Sequence, residues 1–172
     1  MAEKLAKSLI GMMGGLLSLS FGKQLIVFII SMLPILELRG GLIAASLLKL
    51  PPLESYIIAI VGNVIPVPFI LLLINRILRA MEKSRFKLFK GIHLFLHKKI
   101  MKNKDSIEKY GFWGLVIFVG IPLPGTGAWT GAIIAAFLEM DRKKAFLGIL
   151  LGMLMASIIM MIISFGLISK VA

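Results

Sequence analysis

The sequence predicts an all-α integral membrane protein built as an inverted repeat: two re-entrant helical hairpins, each followed by a full transmembrane helix, behind an N-terminal helix. Three observations lead there. The 172 residues are 59% hydrophobic, with a mean hydropathy of +0.99, more apolar surface than a soluble domain of this length hides. Ser55 to Asn75 and Ala145 to Ser169 run 21 and 25 residues without a charge, enough at about 1.5 Å per residue to cross roughly 30 Å of hydrocarbon. The chain also matches itself without gaps at an offset of 90. Pro34/Pro124, Gly41/Gly131, Ile43/Ile133, Ala45/Ala135, Leu48/Leu138 and Gly62/Gly152 are identical, six pairs in 29 positions, where the biased composition gives about three. We read residues 1–172 as a single membrane domain.

Residues 5–22 have a basic start and an apolar middle but no small-x-small cleavage site before a polar region. They are expected to be a retained helix, either a short span or an interfacial one. The first repeat, 23–80, reads as an apolar run, the break PILELRGG, a short apolar run, a polar loop and a long span. Pro34 removes a backbone donor and Gly40 and Gly41 weaken a helix, so a hairpin break is expected there. Backbone groups freed at membrane depth are tolerated only against protein or a water-filled cavity.

Residues 81–109 form a basic connection. From Arg76 to Lys109 eleven Lys/Arg face three acids, and Phe86, Phe89, Ile92, Phe95 or Leu96, and Ile100 recur every three to four residues. That pattern predicts an amphipathic helix lying on anionic headgroups. RFKLFKGIHLFLHKK also has the composition of a nucleic-acid patch, but a short connection between membrane spans argues against nucleic acid. The second repeat, 110–170, carries its break at GIPLPGTGAWTG, where Pro122, Pro124, Gly125 and Gly127 predict an irregular turn.

Charge orients the plan. If the second broken segment turns back, the basic loop and Asp141–Lys144 share one side, giving sixteen Lys/Arg on that side, three on the other and Arg39 in the membrane. The positive-inside rule prefers this, with basic loops cytoplasmic in a multi-pass protein of the cell membrane. Each repeat then crosses once, so the second is inverted. Kinked but ordinary spanning helices are the alternative.

A charge at the membrane centre costs about 2.5–3.5 kcal/mol on insertion scales, so Glu37 and Arg39 need a reason to be there. They are either a buried pair that locks the hairpin tip or a functional site. In the functional reading Glu37 exchanges protons and Arg39, with its planar fork, holds an anionic group. Half-helices starting at the breaks would add their positive N-terminal dipoles. Thr126, Trp129 and Thr130 are the polar side chains of the second break, candidates for substrate contact if the tips meet, or else packing elements. Asn63, in the first long span, is a substrate-binding candidate or a satisfied interhelical hydrogen bond.

No cysteine and only two histidines predict no disulfide, no metal site and no cofactor. Without a Ser/His/Asp set, a phosphate-binding glycine loop or paired intramembrane acids, no enzyme is expected.

PILELRGGLIAA followed by GIPLPGTGAWTGAIIAA resembles the small multidrug export protein family, over about residues 20 to 170. That family in turn resembles the wider DedA group. The resemblance implies an inverted repeat with two re-entrant hairpins and proton-dependent movement of polyprenyl-phosphate or phospholipid. DedA proteins also carry basic residues in the second hairpin, and none lies between Tyr110 and Leu138 here. The expected function is a proton-coupled secondary transporter of an amphipathic anionic substrate, lipid-phosphate or similar, in which homo-oligomers are permitted. Alternatives are a small multidrug exporter and a non-transporting scaffold with a structural Glu–Arg pair.

Overall fold

The computed structural model describes residues 2–82, 94, 109–123 and 125–167. Among them there are helices and turns and no strand. The expected amphipathic helix on the basic connection falls almost wholly outside the described residues, as does Pro124.

Helix α1 covers Ala2–Met12, steadied by the Glu3–Lys7 ion pair at 2.8 Å, one turn apart. It ends earlier than the expected 5–22 helix, because Gly14 and Gly15 open a 3₁₀ turn at Gly14–Ser18. Eleven residues reach about 16 Å, roughly half the hydrocarbon thickness. Instead α1 packs on α3 (Glu37–Leu47), with Ala6 fully buried.

Helix α2 (Gly22–Met32) and α3 form the first helix–break–helix unit. Leu33 is extended (ψ 136), as a residue before proline prefers, and Glu37 N–H closes back on Leu33 O at 2.8 Å. The break is therefore Leu33–Leu36. Gly40 and Gly41, expected in it, belong to α3. Their role is clearance, since a Cβ on Gly41 would lie 1.9 Å from Ser31 Oγ and one on Gly40 2.5 Å from Leu36 Cβ.

Helices α4 (Pro52–Val64) and α5 (Pro66–Glu82) follow almost in line, interrupted at Ile65. Pro66 and Pro68 remove two donors from the helical ladder there. Their apolar part, Pro52–Ile74, is 23 residues long, about 35 Å. The second half repeats the order: α6 (Lys109–Gly120), a break, α7 (Ala128–Phe137), then α8 (Arg142–Met161) continuing as a π-helical turn at Ile162–Leu167. The helical run Arg142–Gly166 has 25 residues, about 37 Å, and carries no charge from Ala145 onward. Among the described residues, two helices are thus long and apolar enough to cross a membrane.

The halves agree in detail. Helices α3 and α7 end in the same cap, with Lys49 and Glu139 left-handed (φ 56 and 53). Leu50 N–H reaches Ala45 O and Met140 N–H reaches Ala135 O, each at 3.0 Å, a Schellman-type closure formed without glycine. The long helices meet the first arm of their own unit through a glycine. A Cβ on Gly62 would strike Phe28 O at 2.7 Å and Ser31 Cβ at 3.0 Å; one on Gly152 would strike Val116 O at 2.8 Å and Val119 Cβ at 2.7 Å.

Two buried clusters interlock the halves. One joins Val67, Ile70 and Ile74 of α5 to Leu115, Ile134, Ile149 and Met153 of the second half. The other joins Ile26, Ile30, Leu42 and Ala59 of the first half to Ala156 and Met160 of α8. Outward on the long helices stand Ile57, Phe69, Leu72, Leu147 and Ile158, all exposed. That outer face suits hydrocarbon, not water.

Candidate functional site at the junction of the two breaks

The first break delivers Glu37 at the start of α3 with φ 51, a conformation that costs a non-glycine residue of order 1–3 kcal/mol and needs support from its surroundings. Support comes from the other half. Glu37 is 6% exposed, and its carboxylate accepts two backbone hydrogen bonds: Ala128 N–H to Oε2 and Trp129 N–H to Oε1, both at 3.1 Å. These are orphan donors of the first turn of α7, whose own N-cap, Gly127, supplies no side chain. Glu37 therefore caps α7 from across the molecule, its negative charge at the positive end of the helix dipole.

Gly127 makes the approach available. Its φ of 134 with ψ near −173 is a region open essentially to glycine alone. A Cβ there would lie 2.1 Å from Glu37 Oε2. The residue is needed both for its conformation and for its missing side chain.

Arg39 does the complementary work. Its guanidinium donates to Leu123 O, to Thr126 O at 2.9 Å and to Thr126 Oγ1 at 3.1 Å. Thr126 Oγ1 lies 2.8 Å from Ile121 O and 2.9 Å from Leu123 O, so its single proton is offered within the same turn. Leu123 O also accepts Thr126 N–H at 3.2 Å, and the arginine fork adds its donors to this carbonyl and to that of Thr126. The two charges thus divide the second break between them, carboxylate to its N–H groups and guanidinium to its C=O groups.

Asn63 comes to the same place. It is 1% exposed, donates through Nδ2 to Met153 Sδ at 3.3 Å, and its Oδ1 has no partner among the described residues. Glu37, Arg39, Asn63, Gly127 and Met153 line a small cavity between the halves, about 10 Å³ for the centre of a water-sized sphere, room for one water. An amide oxygen and a carboxylate sharing that space suit a bound water that donates to both.

The remaining expected residues divide. Thr126 joins the site through both its carbonyl and its hydroxyl. Trp129 contributes its backbone N–H, while its indole N–H has no partner among the described residues. Thr130 is buried at 8% exposed on the first turn of α7 and is not among the residues lining the cavity. Pro34 is exposed, Pro122 half-buried and Gly125 exposed, all shaping the breaks without lining the cavity. Side-chain reasoning missed Ala128 and Leu123, which act through the backbone, and Met153, which sits 90 positions from Asn63. That offset was the one signal able to find Met153.

The chain matches the model of a family described as "Putative small multi-drug export protein" over residues 37–159. No curated protein and no solved structure gave a match. The matched region opens at Glu37, takes in Arg39, Asn63 and the whole second break, and covers well over half of the 172 residues. By that match the chain belongs to the small multi-drug export protein family.

Proposed function

We propose that the protein is a proton-coupled secondary transporter of the cell membrane that moves an amphipathic anionic substrate, such as a polyprenyl-phosphate or a phospholipid. In this reading the two helix–break–helix units are re-entrant hairpins, inverted relative to each other as in the DedA plan, and their tips meet near the midplane. The observation that carries it is the capping of α7 by the Glu37 carboxylate. Protonation there removes the charge that faces the helix N-terminus and turns one acceptor oxygen into a donor. The tips then lose their strongest contact and part. Parting releases Arg39 from Leu123 and Thr126, and its fork becomes free to hold a phosphate.

A second reading, export of a small drug, is favoured by the family description. It needs the same latch but a different cargo. A scaffold role would keep the latch closed throughout.

The test is a proteoliposome experiment with an imposed pH gradient and a fluorescent polyprenyl-phosphate in both leaflets. Gradient-dependent redistribution in the wild type, lost in Glu37→Gln and Arg39→Ala while both stay folded, is the expected result. Movement of a cationic dye and not of the lipid would select the drug reading. Silence with both cargoes would overturn transport. Single cysteines, placed in this cysteine-free chain at Ser106 and Lys143, should be labelled from the same face if the second unit is re-entrant.

A further inference from the structure

On the outer surface, away from the Glu37 junction, α5 and the first turns of α8 enclose a groove of about 510 Å³. Its wall is almost wholly apolar, made by Pro68, Leu71, Leu72, Phe146 and Leu147, and the stems of Arg142 and Lys143, in the first turn of α8, complete it. The volume lies in the range of small-molecule sites. The chemistry is amphipathic: hydrocarbon along the wall, positive charge at one end. Neither cation has a hydrogen bond or ion pair among the described residues. The carboxylate beside them in sequence, Asp141, is engaged as the cap of α8, accepting Lys144 N–H at 2.9 Å. The first turn of α8 adds its dipole to the same end.

We infer that this groove binds one molecule of an anionic phospholipid, its phosphate at Arg142 and Lys143 and one acyl chain along Pro68, Leu71, Leu72, Phe146 and Leu147. Charge complementarity selects that occupant. The chain's own segment 83–108 carries eight Lys/Arg against two acids, so its charge does not complement the cationic end. A zwitterionic lipid offers a phosphate but brings an ammonium with it. Basic clusters at the ends of membrane helices face the leaflet richest in anionic headgroups when the positive-inside rule holds. The inference rests on the membrane setting of α5 and α8 and not on the role given to Glu37.

The chain has no cysteine, so a single one reports the groove cleanly. Leu147, which lines it and is 53% exposed, is changed to cysteine and labelled with bimane. The protein is then reconstituted into phosphatidylcholine vesicles containing small fractions of doxyl-chain phosphatidylglycerol or doxyl-chain phosphatidylcholine. Half-quenching is expected at a mole fraction about fivefold or more lower for the glycerol lipid, the factor contributed by about one headgroup-facing cation. Arg142→Gln with Lys143→Gln should erase that preference, while Lys4→Gln with Lys7→Gln, an equal loss of charge on α1, should keep it. Equal quenching by both lipids would overturn the inference. So would a preference that survives the groove variant or is lost equally in the control. Quenching by neither lipid would mean that protein fills the groove, and would overturn it too. Because the readout is lipid occupancy at Leu147, a transport failure leaves it intact, and its own failure leaves the Glu37 latch intact.

Discussion

Gly127→Ala tests the junction without touching a charge. Two costs are expected. The new Cβ must take up φ 134, which costs about 1–3 kcal/mol. It must also displace the Glu37 carboxylate, whose Oε2 would lie 2.1 Å away, and with it the hydrogen bonds from Ala128 and Trp129. Bonds to a charged acceptor contribute about 1.5–3 kcal/mol each. The sum, about 4–9 kcal/mol, is comparable with the whole stability of a typical domain. Glu37→Ala loses the same two bonds by another route. In the double variant the clash has no target, so Gly127→Ala should add only its backbone strain of about 1–3 kcal/mol. The cycle is expected to be non-additive by about 3 kcal/mol or more. Unfolding in mixed detergent–dodecyl sulfate micelles, followed by far-ultraviolet circular dichroism, measures it. Additivity to within about 0.5 kcal/mol would mean the two residues do not meet, and the reasoning would fail.

Asn63→Leu removes the amide that shares the cavity with Glu37, together with its bond to Met153 Sδ, and should lower stability by about 1–2 kcal/mol; an unchanged or raised midpoint in the same unfolding assay would refute that role for the amide. Gly62→Ala and Gly152→Ala press a Cβ against backbone carbonyls at 2.7 and 2.8 Å, so each should lower stability by about 1–3 kcal/mol. Gly11→Ala is the control, inside α1 with nothing within 4 Å of the new Cβ, and should gain about 0.5–1 kcal/mol; destabilisation there would mean the surroundings of α1 are wrong.

Much of this was legible because it depends on composition and period. The two long apolar helices follow from charge-free runs, and the offset of 90 reappears in the matched caps at Lys49 and Glu139 and in the Asn63–Met153 contact. The bounds of the first break were less legible. Gly40-Gly41 reads as a helix interruption by propensity, yet both glycines are helical, because tight packing on Leu36 and Ser31 rewards the missing side chain. The same confusion hid the use of the second break. Its partners for Glu37 and Arg39 are N–H and C=O groups that every residue carries, so no side-chain motif marks Ala128 or Leu123. Only Gly127 gave a local sign, and a glycine beside prolines announces a turn before it announces a helix cap.

The backbone partners explain why both charges sit directly after the first break, in the first turn of α3, and none in the second, and they yield a further test. Glu37 and Arg39 as a mutual ion pair would tolerate exchange, since Glu37→Arg with Arg39→Glu keeps one of each sign two residues apart. The junction does not. Chain direction fixes which end of α7 offers N–H groups, and the loop before it offers carbonyls. Exchange would set a guanidinium against Ala128 and Trp129 N–H, donor facing donor at the positive end of a dipole, and a carboxylate against the carbonyls of Leu123 and Thr126. Every charge-assisted bond at the junction would be replaced by a repulsion. At about 1.5–3 kcal/mol for each lost bond, the exchanged variant should lose more than about 5 kcal/mol, the lower bound of ordinary stability. It should fail to yield folded protein, or melt below either single replacement by a neutral residue. If the exchanged protein instead unfolds at the wild-type midpoint in the same micelles, the two charges serve each other, and the cap of α7 by Glu37 is not what holds the halves together.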